Sequence, residues 1–489
     1  MSTEILERFR PLFEPRGIII AGASSHPGKF GFVAAHNILS EGFPGEVFLT
    51  NRDGAEILGR QTLTSIDDVP EGAADLVFVC TPQKTLPDLL RSCAAKGVKA
   101  AFVTTAGYGE LGEEGKQAEK DLVDLCAELD ILLLGPNGQG VISTPAKLCA
   151  QIVAPFPPRG NIAIASQSGG FVQAFQNYAV KTGVGISRAV SAGNCAATNV
   201  EDYLEYFAAD PETAVSLIYI EGIEDGRRFY DTVKRAAAEK PLVVLKGGAT
   251  SGGQRAAASH TGALATDDNV FDGMCRQAGL TRATSVEEAF ELAASFATHP
   301  LPRGGNVFVL TTAGGWGVVT ADRITSSRNL DLMPIPDDLK AEFDKRLPPR
   351  WSRNNPADLA GSETRDTVAE CLELVAGHSE VDSVLLLGVG IQSNLGAMER
   401  AGRFYPGHGL ERIVEFHERQ DTRYAQLSMD LEKRFDKPVL VATELVDCQS
   451  ENAGPKTLRD AGSLAYASSY RAVTALEHLY RHSQHRAQR

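Results

Sequence analysis

The chain has 489 residues, 43% of them hydrophobic and 22% charged, with a net charge of −14 and eight cysteines. That composition is globular and long enough for about two to four domains, and the acidic balance without any Lys/Arg stripe excludes nucleic acid as the main partner while leaving small anions open. The opening stretch MSTEILERFRPLF lacks a signal-peptide core, no apolar run reaches the roughly 20 residues that span a bilayer, and no C-x-x-C or metal-ligand spacing occurs, so a reduced, cytoplasmic, membrane-free protein without a metal is expected.

Short apolar runs, each followed by Gly or Ser and then a helical pattern, recur from end to end. In chain order they are GIIIAGAS, EVFLTN, DLVFVCTP, KAAFVTTAG, ILLLGPNG, NIAIASQSGG, VSLIYIEG, PLVVLKGG, NVFVLTTAGG, SVLLLGVG and KPVLVATE. Continuous apolar strands alternating with helices predict parallel sheets covered on both faces, with ligands at the carboxyl ends of the strands. An internal repeat is visible: PRGNIAIASQSGG at 158–170 resembles PRGGNVFVLTTAGG at 302–315, and KPLVVLKGG at 240–248 resembles KPVLVATE at 437–444. The second copy is longer, and its extra residues are expected in the polar stretch around 390–430. The fold class is therefore α/β, in three units over 1–150, 155–300 and 303–480, joined by the proline-rich APFPPRG and THPLPRGG linkers. The tail YRHSQHRAQR reads as a frayed end, with His478, His482 and His485 on the surface rather than on a metal.

Several loops carry chemistry. GASSHPGKFG (22–31) follows the first strand; Gly22, Gly28 and Gly31 allow a tight turn and close approach of a phosphate to a helix start, and Lys29 adds a positive charge. Its spacing is neither G-x-G-x-x-G nor a P-loop, and a glycine turn without a ligand is the plainer alternative. GPNGQG (135–140) closes the first unit. SQSGGF (166–171) sets Ser166, Ser168, Gly169 and Gly170 between a strand and a helix, as an anion site or simply an N-cap. In YIEGIEDGRRF (219–229), Glu221 stands at a strand end; the matching point of the repeat is Gly388. Glycines at 247, 248, 252 and 253 make KGGATSGGQRAAASHTGA an expected mobile loop, with His260 as metal ligand, proton shuttle, nucleophile or ordinary loop residue.

Taken in order, GASSHPGKFG, GPNGQG, SQSGG, VSAGN (190–194), YIEGIEDGRRF, KGGATSGGQRAAASHTGALA, TTAGGWG and NNPADL resemble the α subunit of ADP-forming acyl-CoA synthetases (acetate–CoA ligase, ADP-forming), relatives of succinyl-CoA synthetase. The resemblance covers nearly the whole chain. It implies a Rossmann-like CoA-binding domain followed by two flavodoxin-like parallel-sheet domains, the first of these carrying a phosphohistidine loop. Position by position, it implies His260 as the phosphorylated nucleophile and Glu221 as the carboxylate orienting it. Ser166, Ser168, Gly169 and Gly170 would receive the phosphoryl group. Gly22, Ser24, Pro27, Lys29, Gly31, Asn51, Arg52, Thr81 and Pro82 would bind CoA, and Asn137 and Asn194 would lie near the acyl phosphate. Two departures stand out: Trp316 where the family often has proline, bearing on the acyl preference, and Arg52-Asp53 where it often has Pro-Lys, bearing on nucleotide contacts.

The family's ATP-grasp domain, which holds ATP/ADP and Mg2+, has no counterpart among the three units. The resemblance therefore implies a separate ATP-grasp β subunit and a hetero-oligomer acting on CoA, phosphate and a small carboxylic acid. Two rival functions compete with this one. A non-catalytic or regulatory CoA-binding protein would be favoured by loss of His260 or Glu221, and both are present. A nicotinamide-dependent oxidoreductase is disfavoured because no acidic residue follows a G-x-G-x-x-G at the ribose-binding distance.

Overall fold

The computed structural model describes residues 2–153, 155–255, 267–359, 366–444 and 450–488. The chain divides into two compact units, Met1–Val180 with Gly185–Ala293, and Lys181–Val184 with Ala294–Arg489. All eleven apolar runs form strands, and they are parallel within their sheets.

The first unit holds two large sheets. One has the spatial order Glu46–Thr50, Gly17–Ala21, Leu76–Val79, Ala100–Val103, Leu132–Leu134. Its three central strands are buried on both faces, which is why they read as unbroken apolar runs, whereas the edge strand Glu46–Thr50 is covered only towards its end. Ile18, Ile20, Leu76 and Phe78 enter one core, while their neighbours Ile19, Ala21, Val77 and Val79 enter the other. That period-2 division is the geometry of a strand, and each fully buried Ile or Leu contributes about 1.5–3 kcal/mol. The chain leaves Gly17–Ala21 towards one side and returns on the other, so a crevice opens where the strand order reverses.

The second sheet has the order Thr281–Ala283, Leu242–Lys246, Val215–Ile220, Arg159–Ser166, Ile186–Ser191, Gly140–Ser143, Leu148–Gln151. The last two strands form an antiparallel hairpin that pairs with Ile186–Ser191. Residues 140–151 thus leave the first sheet and complete the second. Asn37, on the helix Phe30–Ser40, donates through Nδ2 to Gln151 O at 2.9 Å and Val153 O at 3.3 Å, covering the hairpin's outer strand. Arg188 is fully buried in the middle of Ile186–Ser191. Its Nε donates to Asp210 Oδ2 at 3.1 Å, its Nη2 to Glu14 Oε1 at 2.7 Å, and its Nη1 to Ser143 Oγ. The N-terminal helix Ser2–Phe13 packs beside them, with Phe13 stacked on Tyr206 at 4.7 Å.

The second unit repeats the plan. Asp331–Leu332, Asn306–Thr311, Ser383–Leu387, Val439–Ala442 and Ala465–Tyr466 lie side by side, and Ala357–Asp358 also pairs with Asn306–Thr311. The extra residues of this copy form two helices, Ile391–Ala401 and Leu410–Phe435, the latter burying Val414, Tyr424, Ala425, Met429 and Leu431. The tail departs from the expectation of a frayed end. Ser469–Ala487 is one helix that buries Leu476, Leu479 and His482. His482 meets the Phe296 ring edge-on at 5.3 Å, because apolar residues at helical spacing outweigh the polar ones between them.

Candidate active site

The loop after Gly17–Ala21 is built on close backbone approach. Gly22 has φ +85°, in the left-handed region open to glycine. A Cβ on Gly31, in the first turn of Phe30–Ser40, would come 2.1 Å from Gly22 O, so the helix start is seated directly on the loop. Ser24 Oγ accepts from the His26 N–H and His26 Nδ1 from the Gly28 N–H, both at 3.1 Å. These bonds hold Pro27, Gly28 and Lys29 out in solvent, with Lys29 at the helix N-cap position. Asn51, at the end of the neighbouring strand, donates to Ala23 O at 2.8 Å and accepts from the Asp53 N–H at 2.9 Å. Arg52 is exposed and pairs with Asp53 at 3.2 Å. On the other side, Thr81 Oγ1 accepts from the Thr85 hydroxyl at 2.9 Å, and Pro82 follows at the surface. The nine residues expected to bind CoA thus rim one crevice, where the strand order reverses.

Two hydrogen bonds lead from this crevice to the next group. The Thr105 hydroxyl donates to Thr81 O at 2.6 Å, and the Asn137 N–H donates to Thr105 O at 3.1 Å. Asn137, with φ +61°, donates through Nδ2 to Asn194 Oδ1 at 3.3 Å. Asn194 Nδ2 in turn donates to Glu110 Oε2 at 2.6 Å and Glu119 Oε2 at 2.8 Å. Burial opposes ionisation of Glu110, but the bonds from Asn194 and the Gly107 and Tyr108 N–H groups outweigh it and hold its carboxyl below the usual range. Gln139 continues the row: a Cβ on Gly169 would fall 2.1 Å from its Cδ.

Ser166 and Glu221 end adjacent strands of the second sheet, again where the strand order reverses. The Ser166 hydroxyl donates to Ser168 O at 2.7 Å and accepts from the Ser168 N–H at 3.1 Å, so it shapes the turn from within. Ser168 and Gly169 are half-buried and Gly170 is exposed at the start of the helix Gly169–Thr182. The first N–H groups of a helix have no intrahelical acceptor and carry its positive dipole end, which suits a phosphoryl group. Thr311 and Ala313 in the second unit form the same turn, at 2.9 and 3.0 Å, so the repeat extends to hydrogen bonds. There the pairing registers correct the sequence match by one residue: Gly388 falls at the Ile220 position and the buried Val389 at the Glu221 position, so the second copy carries no carboxylate.

Glu221 is buried, 7% exposed, beside this turn. Gln167 Oε1 accepts from the Glu221 N–H at 2.6 Å and the Gly222 N–H at 3.3 Å, and the Tyr219 hydroxyl donates to Glu221 Oε1 at 3.2 Å. Gly247 packs here as well, its Cβ direction 3.5 Å from Glu221 Cγ. Lys246 Nζ lies 3.6 Å from Asp268 Oδ1, so the segment 247–267 leaves and returns at one point next to Glu221. Residues 251–255 are helical. His260, with Thr261 and Gly262, lies outside the described residues.

Family models match along most of the chain: a CoA binding domain over 16–144, a succinyl-CoA ligase like flavodoxin domain over 159–296 and a Ligase-CoA domain over 307–390. The acetate–CoA ligase [ADP-forming] I subunit alpha of Pyrococcus furiosus is 37% identical over 380 residues, 77% of this chain and 82% of that protein. The chain belongs to this family of ADP-forming acyl-CoA ligase α subunits. Another family relative, the 4-hydroxybutyrate–CoA ligase [ADP-forming] of Nitrosopumilus maritimus, is 31% identical, over 77% of this chain and 54% of that protein. The dinucleotide forming acetyl-coenzyme A synthetase 1 of Ca. Korarchaeum cryptofilum, solved in complex with phosphate and ADP, shares the fold with a TM-score of 0.83. Its identity is 30%, and the match covers 98% of this chain and 97% of that one. Among the described residues, no cluster of His, Cys, Asp or Glu could hold a metal ion, and no helix is long and apolar enough to cross a membrane.

The residues that sequence reasoning passed over are Gln139, Gln167, Tyr219 and the Lys246–Asp268 pair. Tyr219 could have been found: it lies two positions before Glu221, on the same strand face.

Proposed function

We propose that this chain is the CoA-binding, phosphohistidine-carrying subunit of an ADP-forming acyl-CoA synthetase, working with a separate ATP-grasp β subunit. The carrying observation is the convergence of Glu221, the Ser168–Gly170 helix start and both ends of the segment bearing His260. CoA lies along the 22–31 crevice, with Lys29 and the helix start at its phosphates. The row through Thr105, Asn137 and Asn194 connects that crevice to the phosphate site. The overall reaction joins a carboxylic acid, CoA and ATP to give acyl-CoA, ADP and phosphate, and it is reversible.

In the ATP-forming direction, phosphate attacks the thioester carbonyl of acyl-CoA and CoA leaves as the thiol, giving an acyl phosphate. An imidazole nitrogen of His260 then attacks phosphorus, and the carboxylate departs. The phosphoryl group, steadied by the dipole of Gly169–Thr182, passes to ADP on the β subunit. Splitting one transfer into two through a covalent intermediate is the general logic of nucleophilic catalysis. Glu221 orients the imidazole and favours its cationic form as the bond to phosphorus develops. The nucleotide and Mg2+ belong to the β subunit, and the pair forms a cytoplasmic hetero-oligomer.

The test is to incubate the co-purified pair with γ-labelled ATP and quench in base. Acid-labile, base-stable label on this chain is expected, absent in His260→Ala, while CoA affinity stays unchanged. Label that survives acid, or that persists in His260→Ala, overturns the mechanism. This chain alone should form no ATP from acyl-CoA, phosphate and ADP.

A further inference from the structure

Tyr219 and Gln167 hold Glu221 from two directions. The Tyr219 ring stacks on Phe171, in the first turn of Gly169–Thr182, with centroids 3.9 Å apart and planes at 21°. Its hydroxyl reaches Glu221 Oε1 at 3.2 Å. The same hydroxyl sits against the start of the His260-bearing segment, where a Cβ on Gly247 would come 2.7 Å from it. Burial first, and the Glu221 charge second, push the Tyr219 phenol far up, so it remains a donor at every working pH.

Gln167 fixes the backbone. Its Oε1 takes the Glu221 and Gly222 N–H groups, and its Nε2 donates to Gly222 O at 3.3 Å. One residue therefore ties the Ser166–Ser168 turn to the strand end that carries the carboxylate.

The internal repeat supplies a comparison. Aligning Ser166 with Thr311, and the strand Val215–Ile220 with Ser383–Leu387 by their pairing registers, sets Gln167 against Thr312, Tyr219 against Leu387 and Glu221 against Val389. The turn survives in both copies, whereas the amide, the phenol and the carboxylate are absent together from the second. A set that disappears as a group while the turn persists is not needed to build the turn.

We propose that Tyr219 and Gln167 are positioning residues that fix the Glu221 carboxylate, Tyr219 by a hydrogen bond to it and Gln167 by clamping its backbone. This rests on the reading of Glu221 as the carboxylate that serves His260. Free rotation of a carboxylate loses its alignment with the imidazole, so an effect on phosphoryl transfer is expected without one on CoA binding.

The experiment is a double-mutant cycle in the full chain with its β subunit. Tyr219→Phe, Glu221→Gln and the double variant are compared by the rate of acid-labile labelling from ATP and by the KM for CoA. Tyr219→Phe should slow labelling by about tenfold or more, the loss expected for one hydrogen bond to a charged group. The KM for CoA should be unchanged, and the double variant should be no slower than Glu221→Gln alone. Gly247→Ala, which crowds the hydroxyl but leaves the phenol in place, should slow labelling as well. Wild-type labelling by Tyr219→Phe, or a double variant slowed by the product of the two single effects, overturns the proposal while leaving the role of Glu221 intact. Wild-type labelling by Glu221→Gln overturns that role, and the positioning proposal with it.

Discussion

The helix Phe30–Ser40 rests on the loop it follows, and that contact can be probed one carbon at a time. A Cβ on Gly31 would stand 2.1 Å from Gly22 O and 2.9 Å from Gly22 C. An ordinary contact of this kind begins at 3.4 Å, so Gly31→Ala must drive the helix start away from the loop by roughly 1 Å or more. The two parts of the crevice that face a CoA phosphate, the Gly22–Lys29 loop and the helix N-terminus, would then no longer match one ligand. Misplacement on that scale is worth about 10²-fold. Gly42 provides the control. It has φ +69° but nothing within 4 Å of its Cβ direction, so Gly42→Ala meets backbone strain of about 1–2 kcal/mol without any clash. Calorimetric titration of the full chain with CoA, alongside thermal melting, separates the effects. Gly31→Ala should weaken CoA binding about 10²-fold; Gly42→Ala should lower the melting temperature and leave CoA affinity unaltered. Wild-type CoA affinity in Gly31→Ala, or equal losses in the two variants, would refute the reasoning.

Two further outcomes concern buried charge. Arg188→Met leaves the buried Asp210 carboxylate with the Thr213 hydroxyl at 2.8 Å and the Glu212 backbone N–H at 3.2 Å as its hydrogen-bond donors among the described residues; removing one member of a buried pair costs about 3–5 kcal/mol, so urea unfolding of this unit should move by about 3 kcal/mol, Arg188→Met with Asp210→Asn should recover part of it, and a shift below about 1 kcal/mol would count against the network. Asp421 is pushed above the usual carboxylate range by burial, against opposing bonds from Ser393 and Gly390 and the nearby His417. Its folded form keeps a proton that the unfolded chain has released, so its contribution is fully present below about pH 4 and is lost as pH rises through the raised value. Asp421→Asn should therefore raise the melting temperature more at pH 8 than at pH 4, and scanning calorimetry giving equal shifts would contradict this.

What the sequence disclosed, and what it hid, follows from burial. The eleven apolar strands were legible because, the edge strand Glu46–Thr50 aside, both of their faces are largely covered. Ile186–Ser191 was not, because Ser187 and Arg188 interrupt its apolar run; only the fold brings Glu14, Ser143 and Asp210 round the guanidinium. The strands Gly140–Ser143 and Leu148–Gln151 are four residues each, too short for a pattern to register. At the site, glycines and hydroxyls at strand ends were readable as loops that favour anions. The anchoring of Asn194 by Glu110 and Glu119 was not, since those partners lie 84 and 75 residues away in sequence. Gln167 sat inside a motif already singled out, but its bond to the Glu221 backbone crosses 54 residues.

The hairpin at 140–151 settles where this polypeptide can be divided. A fragment ending at 150 would carry two strands whose sheet has been left behind, and the remainder would present the bare flank of Ile186–Ser191 to any passing extended segment. The Asn37 amide, which now shields Gln151 and Val153, would go with the wrong piece. Recombination or truncation between the two sheets of the first unit should thus produce sticky, self-associating products unless the hairpin travels with the second sheet and the cut falls before Gly140. Modularity in this molecule runs along strand pairing and not along the motif order of its gene.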